Sequence, residues 1–91
     1  MNTQGTRWRG KLPIPEKAHP LVRQMFEIMN EEQTVISEVA PRAGLKRDTI
    51  SNWRYVCAPY LDNFEAALNS LGYELCIREI GGKIRRRAEA A

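Results

Sequence analysis

The sequence predicts a mainly α domain of four to five helices, followed by one C-terminal β-strand. Three observations carry that expectation. Apolar residues recur at helical spacing in four stretches between residues 20 and 72. Each stretch is closed by a glycine, a proline or a short polar run. The period then changes to two over residues 73–80, where Tyr73, Leu75 and Ile77 alternate with Glu74, Cys76 and Arg78.

Residues 1–18 read as a basic N-terminal arm, with Gly5, Gly10, Pro13 and Pro15 and no helical period. His19-Pro20 opens the first helix, since proline in a first turn breaks no bond. Leu21, Met25, Ile28 and Met29 form its apolar stripe, widened by Val22 and Phe26. Thr34 is placed to cap a second helix, with Glu38 in its opening turns. Val35, Ile36, Val39, Ala40 and Ala43 give that helix its inner side, and Gly44 ends it. A third helix runs from about Arg47 to Tyr55 with Ile50 and Trp53 inward. Cys57-Ala58-Pro59 is a loop. Asp62 is placed to cap a fourth helix bearing Leu61, Phe64, Leu68 and Leu71, with Gly72 after its end. The division that follows is an arm over 1–18, a helical domain over 19–72, a strand over 73–82 and a basic tail over 83–91.

Composition narrows the function. The chain of 91 residues is 43% hydrophobic and 27% charged, as one globular domain would be. Cys57 and Cys76 fit neither a metal-ligand spacing nor a CxxC motif, so both are expected reduced, in a cytoplasmic protein. No apolar run reaches membrane-span length, and no signal peptide is expected. His19 is the sole histidine. No serine or cysteine has a visible base partner, so neither an enzyme nor a bound metal or cofactor is expected. Charge is uneven. Residues 1–11 carry Arg7, Arg9 and Lys11, residues 83–91 carry Lys83 and Arg85–Arg87, and each end sums to +3 while the 71 residues between sum to −3. Two basic ends on a near-neutral body fit either phosphate contact or simple solubility. Trp8, between Arg7 and Arg9, fits equally a groove-tracking arm or a residue packed on the body.

The segment Thr34-Val-Ile-Ser-Glu-Val-Ala-Pro-Arg-Ala-Gly-Leu-Lys-Arg-Asp-Thr-Ile-Ser-Asn-Trp53 concentrates the functional signal. Two helices that cross steeply need a small residue at their approach, Ala40. Their turn needs a left-handed residue, Gly44, and the second helix needs a branched apolar residue facing back, Ile50. With Trp53 these form the motif core. The Ala-Gly-Leu and Thr-Ile-Ser-x-Trp runs resemble the Cro/cI-type helix-turn-helix regulators of phages and bacteria. The likeness extends over roughly residues 20–72, through Pro59, Leu61, Leu68 and Leu71-Gly72.

The resemblance implies a DNA-binding transcriptional regulator, more a repressor than an activator, that docks as a homodimer on double-stranded DNA at an inverted repeat. Carried over by position, the base-reading residues are Arg47, Asp48, Ser51 and Asn52. Arg47 suits guanine and Asn52 suits adenine, whereas Asp48 fits either cytosine or the positive helix start. Phosphate or arm contacts fall to Arg7, Arg9, Lys11, Lys46, Thr49 and Arg54. Three positions depart from the family pattern. Pro41 removes the bond to the Ser37 carbonyl, so the first motif helix is expected kinked or short. Lys46 stands where a capping serine is usual, and Ile36 where a glutamine is usual. The strand over 73–80 lacks a regular partner inside the chain, since Pro13 and Pro15 spoil a ladder at Leu12–Ile14, and a second copy is the expected partner through Tyr73, Leu75 and Ile77. Two other classes stay open: an antitoxin or anti-activator that binds a toxin or another regulator, and a recombination directionality factor that bends DNA.

Overall fold

The computed structural model describes residues 10–81. Within them the chain forms four helices: α1 (Pro20–Glu32), α2 (Ile36–Ala43), α3 (Arg47–Tyr55) and α4 (Leu61–Ser70). The domain is therefore mainly helical. Among the described residues no helix is long and apolar enough to cross a membrane.

The core collects the inner faces of all four helices. Val22, Met25, Phe26 and Met29 come from α1, Val39 and Ala40 from α2, Ile50 and Trp53 from α3, and Phe64, Ala67 and Leu68 from α4. Trp53 and Phe64 meet edge to face, with ring centroids 5.9 Å apart and planes at 71°, a favoured aromatic geometry. Among the described residues none that is polar or charged is fully buried, and no buried side-chain nitrogen or oxygen lacks a partner. Some members of the expected stripes sit outside the core, Ile28 and Val35 among them. Leu21 is exposed, and Leu61 is 74% exposed at the start of α4.

Three helices end in the same double hydrogen bond, in which a left-handed residue turns the chain. At α2 the Gly44 N–H donates to the Pro41 carbonyl (3.2 Å) and the Leu45 N–H to the Ala40 carbonyl (2.8 Å), with Gly44 at φ 74°. At α4 the Gly72 and Tyr73 N–H groups do the same to Asn69 and Leu68. At α1 the left-handed position falls on Gln33, at φ 56°. A side chain there brings Cβ against the carbonyl, a cost of about 1–2 kcal/mol. Gln33→Gly should therefore stabilise the domain by about 0.5–1 kcal/mol after the added freedom of the unfolded glycine is subtracted. A thermal melt checks this. An unchanged or lower midpoint would show that Gln33 makes compensating contacts.

The caps of α2 and α4 differ from the expected ones, while α1 and α3 start where expected. Thr34 does not cap α2, because its N–H closes α1 onto the Met29 carbonyl (2.8 Å) and the cap passes to Val35. Asp62 does not cap α4, whose cap falls two residues earlier on Tyr60. Asp62 accepts instead from the Asn63 N–H, in the first turn. His19 caps α1, with Nδ1 accepting from the Leu21 N–H at 3.0 Å. Pro41 lies inside α2, which runs two residues beyond it and has eight residues in all.

The segment expected as an arm is attached from Leu12 onward. The Asn30 side chain meets both backbone groups of Leu12, accepting from its N–H at 2.7 Å and donating to its carbonyl at 3.1 Å. Leu12 and Ile14 pack against the core, and Ala18 belongs to it. A single side-chain amide thus does for Leu12 what a neighbouring strand would do. Residues 1–9 and 82–91 lie outside the described residues, and with them the expectations placed on Arg7, Trp8, Arg9 and the C-terminal tail.

Residues 73–80 have no regular secondary structure in the single chain. Leu75 packs against the core, whereas Tyr73, Ile77 and Ile80 are exposed. The Tyr73 hydroxyl donates to Glu32 Oε2 at 3.3 Å. The Glu32 carboxylate beside it pushes the Tyr73 phenol above its ordinary pKa, since a second negative charge there is unfavourable.

Candidate nucleic-acid interface

The candidate interface is built on α3. Helical geometry advances each residue by about 100°, so the inward direction of Ile50 and Trp53 sets the outward one. Arg47, Asp48 and Asn52 are exposed, and Ser51 is half-buried. Ile50 and Trp53 are 0% and 4% exposed. One face of α3 is thus held rigidly in the core while the opposite face presents two amide- or guanidinium-bearing side chains, a carboxylate and a hydroxyl.

The turn between α2 and α3 is three residues long, Gly44 to Lys46. Leu45 packs against the core and keeps the turn down on the body. Ala40 is 1% exposed. Val35, Ile36 and Ser37 at the start of α2 line a shallow groove with Arg47, Asp48 and Ser51 of α3. Neither helix start receives a hydrogen bond from its capping side chain, which is Val35 for α2 and Lys46 for α3. Uncapped helix starts carry partial positive charge and donors suited to an anion.

Charge on this side is modestly positive. Arg42 is paired with Glu38 at 3.0 Å, one turn apart on α2, an exposed contact of small energetic weight. Among the described residues neither Lys46 nor Arg47 is in an ion pair. Lys46 is exposed, Thr49 is half-buried on the flank of α3 away from Arg47, and Lys11 is exposed beside Glu27 and Glu31.

Arg54 is placed differently from the other cations. Its Nη1 donates to the Pro13 carbonyl at 3.1 Å, its Nη2 to Ser51 Oγ at 2.9 Å and its Nε to the Ser51 carbonyl at 3.4 Å. The guanidinium lies over the rings of Phe26, 5.2 Å from the centroid, and Tyr55, 5.1 Å from it, within the range of cation–π attraction. Arg54 therefore ties the N-terminal segment to the third helix. It also turns the Ser51 hydroxyl toward itself.

Tyr55 is a residue that the sequence reading passed over. It is 60% exposed and falls on the outer face of α3, three residues beyond Asn52 and four beyond Ser51. Continuing the helical spacing one turn past Ser51 would have found it. Among the described residues no three side chains gather as metal ligands.

Compared with models of known protein families, with curated proteins and with solved structures, the chain matches none.

Proposed function

We propose that this chain is a sequence-specific DNA-binding regulator of the Cro/cI kind, acting in the cytoplasm as a repressor and binding an inverted repeat as a homodimer. One observation carries the reading. A short helix with its apolar face locked in the core turns Arg47, Asp48, Ser51 and Asn52 outward, just after a three-residue turn. A recognition helix needs that combination, because base edges are read by few side chains held at fixed positions. In this reading Arg47 donates two bonds to guanine and Asn52 pairs with adenine. Tyr55 extends the same face. Lys46, Thr49 and the uncapped start of α2 meet phosphate, and Lys11 continues into the basic residues Arg7 and Arg9. Residues 73–80 supply the dimer contact, since among the described residues they have no ladder.

In vitro selection of bound duplexes, followed by titration of the selected site across salt concentrations, tests this. Each phosphate contact contributes about −0.9 to the slope of log K against log salt. Several contacts per subunit should give a steep fall, and deleting residues 1–11 should flatten it while weakening all sequences. Failure to select any sequence, or binding indifferent to salt, would remove the reading.

A protein-binding module is the second reading, supported by exposed apolar surface. Val56, Tyr60 and Leu61 are 72%, 77% and 74% exposed, and Leu21, Pro59, Leu61 and Phe64 line an apolar groove between α1 and the start of α4. Exposed apolar groups gathered in one place mark contact surfaces more often than isolated ones do. In that reading Leu61→Glu would abolish partner binding, and DNA selection with the wild-type chain would be empty.

A further inference from the structure

We infer that two copies of this chain pair residues 73–80 antiparallel in one register, with Cys76 of each copy on the two-fold axis. The inference rests on the dimer reading above and specifies it.

Symmetry restricts the choice. A two-fold axis through an antiparallel pair is perpendicular to the sheet, so each register sets one residue opposite its own copy. The segment reads Tyr73-Glu-Leu-Cys-Ile-Arg-Glu-Ile80. Centring on Glu74 or Arg78 sets like charges face to face. Centring on Leu75 or Ile77 pairs no charge with its opposite. Centring on Cys76 sets Glu74 opposite the partner's Arg78, and Arg78 opposite the partner's Glu74. Directly opposed unlike charges stabilise an antiparallel pair, and like charges destabilise it.

Packing selects the same register. Leu75 and Ile77 share one face of an extended segment. Leu75 already packs against the core, whereas Ile77 is fully exposed at 102%. In the Cys76-centred register Ile77 falls beside the partner's Leu75, at the edge of the partner's core. By symmetry the exposed isoleucine of each copy is covered in the same way. Cys76 is an exposed thiol on the other face, which leaves it reachable as a reporter.

Facing residues of an antiparallel pair have Cα atoms about 4.5 or 5.5 Å apart, within the span of about 4.4–6.8 Å that a disulfide bridges. Full-length protein and its Cys57→Ser and Cys76→Ser variants should be treated with diamide and run on a non-reducing gel, with light scattering on untreated samples. Two thiols become one disulfide, and their two electrons and two protons pass to the azo bond of diamide. The wild type and Cys57→Ser should link as dimers, and Cys76→Ser should not. A charge exchange checks the register without any thiol. Glu74→Arg and Arg78→Glu should each raise the dimer dissociation constant by about tenfold, because two attractive pairs become repulsive. Mixing the two variants restores unlike charges at both facing positions, so heterodimers should predominate.

A dimer by scattering that fails to link through Cys76, or that mixes statistically, overturns the register and leaves the dimer standing. A chain that stays monomeric at micromolar concentration overturns the dimer reading itself.

Discussion

Phe26→Ala should remove a large share of the domain's stability. The ring is 0% exposed and is among the largest fully buried side chains, so its loss removes apolar burial and opens a cavity that neighbours refill only in part. Such changes cost about 3–5 kcal/mol. The whole stability of a small domain is about 5–15 kcal/mol, and this one is short. Two neighbours would feel the loss beyond the cavity. Arg54 stacks its guanidinium over that ring, so the tie to Pro13 would loosen as well. A far-UV circular dichroism melt should show the midpoint lowered by more than about 15 °C. A shift of a few degrees would mean that the core repacks around the gap, and that α1 is less central than its burial indicates.

Arg47→Ala should cost about 1–3 kcal/mol at each half-site of the selected duplex and relax preference at one base pair in it. Arg47 carries this expectation because it is exposed at the first turn of α3 and, among the described residues, is in no ion pair. Its guanidinium is therefore available at little internal cost. Lys46→Ala gives the contrast. A cation at the turn that meets phosphate has no base to read, so every duplex should weaken by a similar factor and the salt slope should fall by about one contact. Titrating both variants against the selected site and its single-base changes separates the roles. If Arg47→Ala left the order of preference intact, α3 would sit in another register on the duplex.

The helices were legible because each one's core contacts repeat at 3.6 residues. Met25, Met29, Ile50, Trp53, Phe64 and Leu68 all announce themselves by spacing. Gly44 and Gly72 mark their own turns, since glycine adopts positive φ without strain. Gln33 occupies the same conformation with no such mark. Its position follows from where α1 must stop, not from its own chemistry. Thr34 and Asp62 are good capping residues in isolation, yet the caps fall on Val35 and Tyr60, one and two residues away. The attachment of the N-terminal segment was hidden for another reason. It rests on side chain to backbone bonds across 18 and 41 residues, Asn30 to Leu12 and Arg54 to Pro13, and no local pattern encodes a meeting so distant. The alternation of Tyr73, Leu75 and Ile77 with Glu74, Cys76 and Arg78 has no strand to pair with among the described residues. On the candidate interface, the inward and outward sides of α3 could be read from spacing alone. The inward bonding of Arg54 could not, because a surface cation and a tethered one look the same in sequence.

Arg54 has only so many N–H groups, and the Pro13 carbonyl and Ser51 already hold three of them. A guanidinium has five N–H groups, so two remain, and an anion competes with the chain's own oxygens only if it draws Arg54 away from Pro13. Capture of such an anion would release Pro13, and a firmly seated N-terminal segment would repel capture. Thermodynamic reciprocity makes the two penalties equal: whatever factor the seated segment takes from anion affinity, the bound anion takes from the seating of the segment. The seated Pro13 segment is then an antagonist of any ligand that draws Arg54 away, and indifferent to one that leaves it alone.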